Sequence, residues 1–451
     1  MIAVVGGGIT GLAAAYELVQ LGEEVVLLEA GDRLGGKLRT TPFAGTMVDE
    51  GADAFLARVP WAVDLCKELG LTDDLVSPAV GSALVWAKGG LRPIPDGVVL
   101  GVPTGITSLA RSGLISPLGL ARAGLDLVLP RRRAAGDRSV GELIRTRMGA
   151  EVLELLVDPL LGGINAGDAD RLSAEASAPQ LADAARRHRS LILGLRGAPK
   201  APPGPVFYAH PEGMERLVAA LVSHLDGADV RLGAPVERLS PVESGYRLEP
   251  AGVGADAVIV ATPAFVAADV LADAAPDAAA GLRAIDYSSV VLVTLAFPVE
   301  AVPRPLDASG YLVPKREGRL TTAVSWSSSK WAHLAGTDRV IVRISAGHYG
   351  DERALALDDH ALVDPLTTEL REATGITGPP SEVRVTRWPR AFPQYTPGHL
   401  DRVQEIERSV ANALPGVHLA GAAYRGIGVP ACIRQGREAA RAATTGGPAP
   451  R

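Results

Sequence analysis

The chain has 451 residues, 47% of them hydrophobic and 21% charged, which gives two or three compact units with ample core and excludes a disordered or low-complexity chain. A formal net charge of −6 supplies no global field for nucleic acid, so an anionic ligand has to be held by a local patch. The two cysteines, Cys66 and Cys432, stand far apart in the sequence; this excludes a cysteine-based metal centre and is what a reducing compartment, the cytoplasm, leads one to expect.

Ile2, Ala3, Val4 and Val5 read as a buried parallel strand that runs straight into Gly6, Gly7 and Gly8, so no signal peptide is expected. A helix over residues 12–21 and a strand over residues 24–28 complete a βαβ unit. Within it Gly6-x-Gly8-x-x-Gly11, with Ile9 and Thr10 in between, follows a strand and opens a helix, and Glu29 closes the next strand 18 residues after Gly11. That spacing is the one a dinucleotide needs. Glycines allow a tight turn and close backbone approach, the helix N-terminus faces a pyrophosphate, and the acid accepts hydrogen bonds from ribose hydroxyls. A glycine turn serving helix packing alone has no use for Glu29.

Ala30 leads into Arg33, Gly35, Gly36 and Lys37, a second glycine pair among cations; the block reads as a ligand loop, with a solvated tight turn as the alternative. The apolar stretches between residues 97 and 129 are interrupted by Arg111, Arg122 and Asp126 before any reaches the 18 or so residues of a membrane span. Residues 105–200 follow helical spacing and carry basic clusters at 131–133 and 186–189, with a Pro-rich linker at 199–205. Strands follow at 228–232, 246–249 and 257–260, and a second β-rich stretch at 285–345 is expected to form a separate sheet. From Gly416 the opening pattern returns: a short strand, Gly426-x-Gly428, Pro430 at a helix start, then a long Ala/Arg helix whose positive end is expected at the ligand. The eight histidines lack ligand spacing, so no metal site is expected.

The glycine block at 6–11 together with residues 33–40 resembles the FAD fingerprint of the flavin amine oxidase superfamily. Further segments, in order over essentially the whole chain, are similar to its Gram-positive-type branch of coproporphyrinogen and protoporphyrinogen oxidases: Gly51-Ala52-Asp53-Ala54-Phe55-Leu56, residues 162–168, residues 188–194, Arg387-Trp388 with Pro393-Gln394-Tyr395, Gly398-His399, and residues 419–433. The resemblance implies an α/β protein in three parts. A Rossmann-like FAD-binding domain is built from the discontinuous segments 1–60, 205–263 and 385–451, a β-sheet substrate-binding domain from 61–95 and 264–384, and a helical lobe from 96–204. It implies noncovalent FAD held by Gly6, Gly7, Gly8, Ile9, Thr10, Gly11, Glu29, Ala30, Arg33, Gly35, Gly36, Lys37, Gly51, Ala52, Asp53, Ala54, Val236, Trp388, Gly421, Ala422, Ile427, Gly428 and Val429. The chain departs from much of the superfamily in having Ala422 where an acidic residue is common, and it carries Val59 and Ser345 where some relatives have Lys and Tyr.

The chemistry so implied is the six-electron oxidation of coproporphyrinogen III to coproporphyrin III in heme biosynthesis, with three O2 reduced to three H2O2 and the flavin, rather than a side chain, carrying the hard step. Such a substrate calls for a large, flat, apolar pocket with cations at its mouth. Arg58 and Arg92 are the candidate cations, and Ile164 and Asn165 the candidate wall. Protoporphyrinogen IX, an amine or a carotenoid as substrate, or a tetrapyrrole carrier with structural FAD, are the competing readings. Expected partners are the substrate, O2 and the next heme-pathway enzyme; nucleic acid is not among them, and contact with a membrane surface is left open.

Overall fold

The structure, a computed structural model, describes residues 1–130, 136–198, 204–336 and 338–445; the basic cluster at 131–133 and most of the expected linker lie outside them. Its organising element is a five-stranded parallel sheet in the order Asp229–Arg231, Val25–Leu28, Ile2–Val5, Ala257–Val260, Val417–Leu419. The central strands are apolar at every position because helices cover both faces. Ile2, Val4, Val25, Leu27 and Ile259 point into a core shared with the first helix, Ile9–Gln20, and the C-terminal helix, Val429–Thr445. Ala3, Val5, Val26, Leu28 and Val260 face the opposite core, closed by helices Ala264–Val270, Pro276–Arg283 and His399–Ala413. Strand order reverses at Ile2–Val5, and ligands of open parallel sheets bind beyond the carboxyl ends of the strands at such a switch point.

A second, seven-stranded sheet runs Glu382–Pro393, Tyr287–Pro298, Arg339–Ala346, Thr321–Ser325, Gly310–Leu312, Leu84–Ala87, Gly90–Pro93. One face buries Val291, Val293, Leu295, Phe297, Val342 and Ile344 against Leu362, Leu366 and Leu370 of helix Asp359–Thr374. The other face turns towards the first sheet. The helices between residues 106 and 196 enclose a core of their own, and one of them, Asp158–Asn165, packs along the second sheet after a widened turn at Leu153–Val157.

Two segments pack differently from the boundaries expected above. Helix Pro60–Glu68, read with the substrate domain, buries Leu65 and Cys66 in the core of the first helix. Strand Glu382–Pro393, read from residue 385 onward with the FAD segments, is the edge of the larger sheet. Periodicity places an apolar face on each of these elements but does not say which sheet receives it. Among the described residues no helix is long and apolar enough to cross a membrane.

Candidate cofactor and substrate site

Three loops meet at the switch point. In the first, Gly6 has φ +103°, and a Cβ on Gly11 would stand 1.8 Å from the Gly6 carbonyl oxygen, so only glycine lets the loop fold back against its helix. Gly8 caps that helix without a side chain, and a Cβ there would meet nothing within 4 Å. The first-turn amides of Ile9, Thr10 and Gly11 therefore face an open space at the positive end of a helix. Glu29 holds the loop's flank: its carboxylate accepts the Gly7 N–H at 2.6 Å and the Gly31 N–H at 2.7 Å. Ala30 beside it is exposed. The Glu29 main chain is bound on the other side by Arg231 and Ala234, which brings Val236, buried at the start of strand Val236–Pro241, into the same neighbourhood.

The second loop lies on the first. The Gly35 N–H donates to the Gly7 carbonyl at 2.8 Å, Gly8 and Gly35 form a parallel bridge, and Gly35 and Gly36 take φ values of +99° and +57°. Arg33 shapes this turn: its guanidinium donates to the carbonyls of Leu34, Gly36 and Leu38. Among the described residues Lys37 has no hydrogen-bond or ion-pair partner, and desolvation by the surrounding protein pushes its pKa down. The residue is nevertheless exposed to solvent, so an anionic ligand has open access to the ammonium.

The Lys37 carbonyl touches the third strip of backbone, where a Cβ on Gly51 would come within 2.2 Å of it. Trp388 closes over the same place, its Nε1–H donating to the Glu50 carbonyl at 2.7 Å. Asp53 turns its carboxylate away into an ion centre with Lys330 (2.9 Å) and Arg343 (3.2 Å); burial opposes its charge, but the two cations outweigh that and hold its pKa below the ordinary carboxylate range. What residues 51–54 present to a ligand is backbone, braced by Arg343, which also donates to the Gly51 carbonyl at 2.9 Å.

Opposite these loops, residues 421–428 lead into the C-terminal helix. Gly421 and Gly426 have φ of +140° and +121°, Ala422, Ile427 and Val429 are half-buried, and Gly428 is exposed. Cys432, one turn into the helix, is buried and its thiol pKa is pushed up by burial. Glycine cradles, two helix N-termini, an acid free to accept further hydroxyls and an unpaired ammonium together fit a pyrophosphate-bridged dinucleotide such as FAD.

The substrate side follows from the register of the second sheet. Leu312, Ala323, Ser345, Leu292 and Thr386 are cross-strand partners in one row, all half-exposed on the face turned towards the first sheet. The neighbouring row carries Arg343 and Arg384, whose guanidinium groups bind the main chain of the segment around residues 42–51. At the other end, the helix ending at Asn165 lies on Leu312, and a Cβ on Gly163 would be 3.5 Å from it. Ile164, 51% exposed, stands at this end of the row. Asn165 is buried, and its amide donates to Leu161 of its own helix at 3.1 Å. Arg92 continues the row but lies beyond Val85, which is fully buried in the lobe's core. Arg58 is exposed near strand Phe55–Leu56 and donates to the Gly204 carbonyl. Apart from Ser345, the row residues escaped sequence reading: the run from Val290 to Leu295 is apolar but for Thr294 and does not reveal which of its residues face a site. Among the described residues no group of three or more His, Cys, Asp or Glu side chains is placed to hold a metal ion.

This geometry defines a dinucleotide-binding protein with a half-exposed row free of charged side chains beside its cofactor cleft. The model of the flavin-containing amine oxidoreductases matches residues 9–444, and the chain belongs to that family, with FAD as its cofactor. It is 36% identical to the coproporphyrinogen III oxidase of Bacillus subtilis (strain 168), with 98% of each chain covered. It is 37% identical to that of Mycobacterium tuberculosis (strain ATCC 25618 / H37Rv), covering 95% of this chain and 94% of the other. A solved structure from Exiguobacterium sp. 255-15, described as a candidate protoporphyrinogen oxidase, superposes with a TM-score of 0.88 at 32% identity over 98% of both chains.

Proposed function

We propose that this protein oxidises coproporphyrinogen III to coproporphyrin III with FAD as cofactor and O2 as terminal acceptor. The observation that carries the reading is the half-exposed row from Leu312 to Thr386, set between the Gly51 turn and the helix bearing Ile164. Its four interstrand gaps at about 4.8 Å make it about 19 Å wide, a breadth suited to a tetrapyrrole lying flat. The relatives named above for this activity align over nearly the whole chain.

FAD, when bound, accepts electrons two at a time and passes them to O2. The residues of this chain bind and orient. Leu312, Ala323 and Leu292 offer an apolar floor, Ile164 a wall, and the absence of a charged side chain from the open row leaves no group to trap a macrocycle in one protonation state. Three two-electron steps remove six electrons and six protons from the substrate, and three O2 take them up as three H2O2.

The test is anaerobic mixing with coproporphyrinogen III. Bleaching of the flavin's visible band, followed in air by three H2O2 per coproporphyrin formed, is the expected result. Tight binding with an unchanged flavin spectrum would mean a carrier and overturn the proposal. Parallel turnover of protoporphyrinogen IX, which has vinyl groups in place of two propionates, is expected to be slower.

A further inference from the structure

Residues 393–399 touch the second sheet, the helical lobe and the loop before the C-terminal helix. Gln394 is 4% exposed, and its Nε2 lies 3.1 Å from the Asn165 carbonyl, 2.9 Å from Ser288 Oγ and 3.1 Å from the Phe392 carbonyl. It thereby ties the end of the helix bearing Ile164 to the second sheet. A Cβ on Gly167 would stand 2.8 Å from its Oε1, so the amide fills the turn that leaves this helix.

The next residue serves the flavin side. Tyr395, 3% exposed, donates its hydroxyl hydrogen to the Ala422 carbonyl and accepts the Gly426 N–H at 3.0 Å. These groups stand at the two ends of the loop that precedes the C-terminal helix. The phenol ring stacks on His399 at 4.0 Å and 18°, and His399 Nε2 donates to the Tyr424 carbonyl at 2.9 Å. The Tyr395 carbonyl accepts the Ser173 N–H of the helical lobe at 2.6 Å.

We propose that Gln394 and Tyr395 are a pair of positioning residues that set the substrate wall in register with the flavin-side loop. Neither is placed to take part in the chemistry. A single peptide unit, with Cα atoms about 3.8 Å apart, joins the two anchorages, so there is no compliant spacer between the helix end at Asn165 and the loop at 422–426. Both side chains sit in buried hydrogen-bond networks, where losing one donor leaves several partners unsatisfied. Reactions of this kind depend on placement, and a misplacement of about 1 Å costs a large factor in rate. The substrate arm of this inference rests on the proposed function; the flavin arm does not.

Two substitutions that keep volume separate the arms. Tyr395→Phe retains the ring and its stack on His399 and removes only the hydroxyl. It is expected to raise the FAD dissociation constant about tenfold, the loss of one buried hydrogen-bonded group, and to move the flavin's visible band in substrate-free protein. Its KM for coproporphyrinogen III at saturating FAD should stay at the wild-type value. Gln394→Glu, once ionised, has no hydrogen to give to its three acceptors. It should bind FAD normally but show a KM raised about fivefold or more at pH 8, falling back towards wild type as the pH is lowered and the carboxyl regains a proton. A merely structural role would not produce that pH-dependent rescue. Wild-type FAD affinity and spectrum in Tyr395→Phe, or a KM change in Gln394→Glu that ignores pH, overturns the inference. Should the wild type bind FAD yet oxidise no coproporphyrinogen, the proposed function falls and the Tyr395 arm alone decides the matter.

Discussion

Gly436 of the C-terminal helix rests on the carbonyl oxygen of Thr10 in the first helix: a Cβ added to Gly436 would come within 2.2 Å of it. Seven residues further along the first helix, buried Glu17 accepts from Arg437 and Arg441, each at 2.6 Å, so the two helices run in the same direction and begin at the same end of the sheet. Residues from opposite ends of the polypeptide thus bring two helix N-termini to the cofactor cleft. Gly436→Ala has to push backbone from backbone, at a cost of about 1–3 kcal/mol, and the separation opens at the cleft. The expected result is a lower melting temperature and a reduced flavin-to-protein absorbance ratio. Gly281→Ala is the control, because the new Cβ there meets only the Ile406 side chain, which can rotate; equal behaviour of the two variants would remove the argument.

Glu29 binds two backbone amides of the fingerprint, and each of its oxygens retains a lone pair for a ribose hydroxyl. Glu29→Gln replaces one acceptor by an NH2 group that faces either the Gly7 or the Gly31 N–H. The amide is therefore expected to be as damaging as alanine, each weakening FAD binding about a hundredfold through two charge-assisted hydrogen bonds. Fluorescence titration of apoprotein with FAD measures both. A glutamine variant with near-normal affinity would show that the charge and acceptor geometry of Glu29 do not hold the ribose.

The parts legible in the sequence are those whose chemistry is local. Gly6, Gly8, Gly11 and Glu29 do their work within one βαβ unit, and their spacing alone describes the cradle. Arg33 and Asp53 sit in the same stretches and were read with the cofactor, but their charges are engaged by partners that spacing does not expose: the carbonyls around Gly36 for one, Lys330 and Arg343 for the other. Asn165 likewise spends its amide on its own helix. The substrate floor depends on register between strands remote in sequence, Leu292 opposite both Ser345 and Thr386, and no local pattern records that. Val85, which hides Arg92 from the floor, was invisible for the same reason.

The floor itself can be tested by closing it. Ala323 stands between Leu312 and Ser345, half-exposed on the side towards the cleft, so a large side chain there projects into the space above the row without displacing the core on the opposite face. Ala323→Trp should abolish or strongly slow coproporphyrinogen oxidation while FAD content and melting temperature stay near wild type. Val324→Trp, whose side chain would enter the buried face, should instead destabilise the fold. If Ala323→Trp turned over normally, the tetrapyrrole would have to lie elsewhere.

The junction behind the Gly51 turn carries a pH dependence of its own. Burial pushes the pKa of Asp49 up to about 6, against hydrogen bonds from Thr40 Oγ1 and the Met214 N–H that favour its charge. Asp53, Arg343, His210 and His333 face the same small cavity, and burial lowers the pKa of both histidines. A carboxyl whose folded pKa lies above its unfolded value of 3.8 favours the folded state while protonated, and that advantage is lost as the pH rises from about 4 to about 6. The histidines act in the opposite sense, since their neutral forms are favoured by folding, so the wild-type profile is a partial cancellation. Asp49→Asn keeps an oxygen for Thr40 and Met214 and removes the titration. Its stability relative to wild type should be near zero at pH 4 and grow to a plateau on the order of 2 to 3 kcal/mol above pH 6. Urea denaturation of both proteins from pH 4 to pH 8 measures the difference; a gap that is flat across that range would mean that Asp49 is not the group responsible.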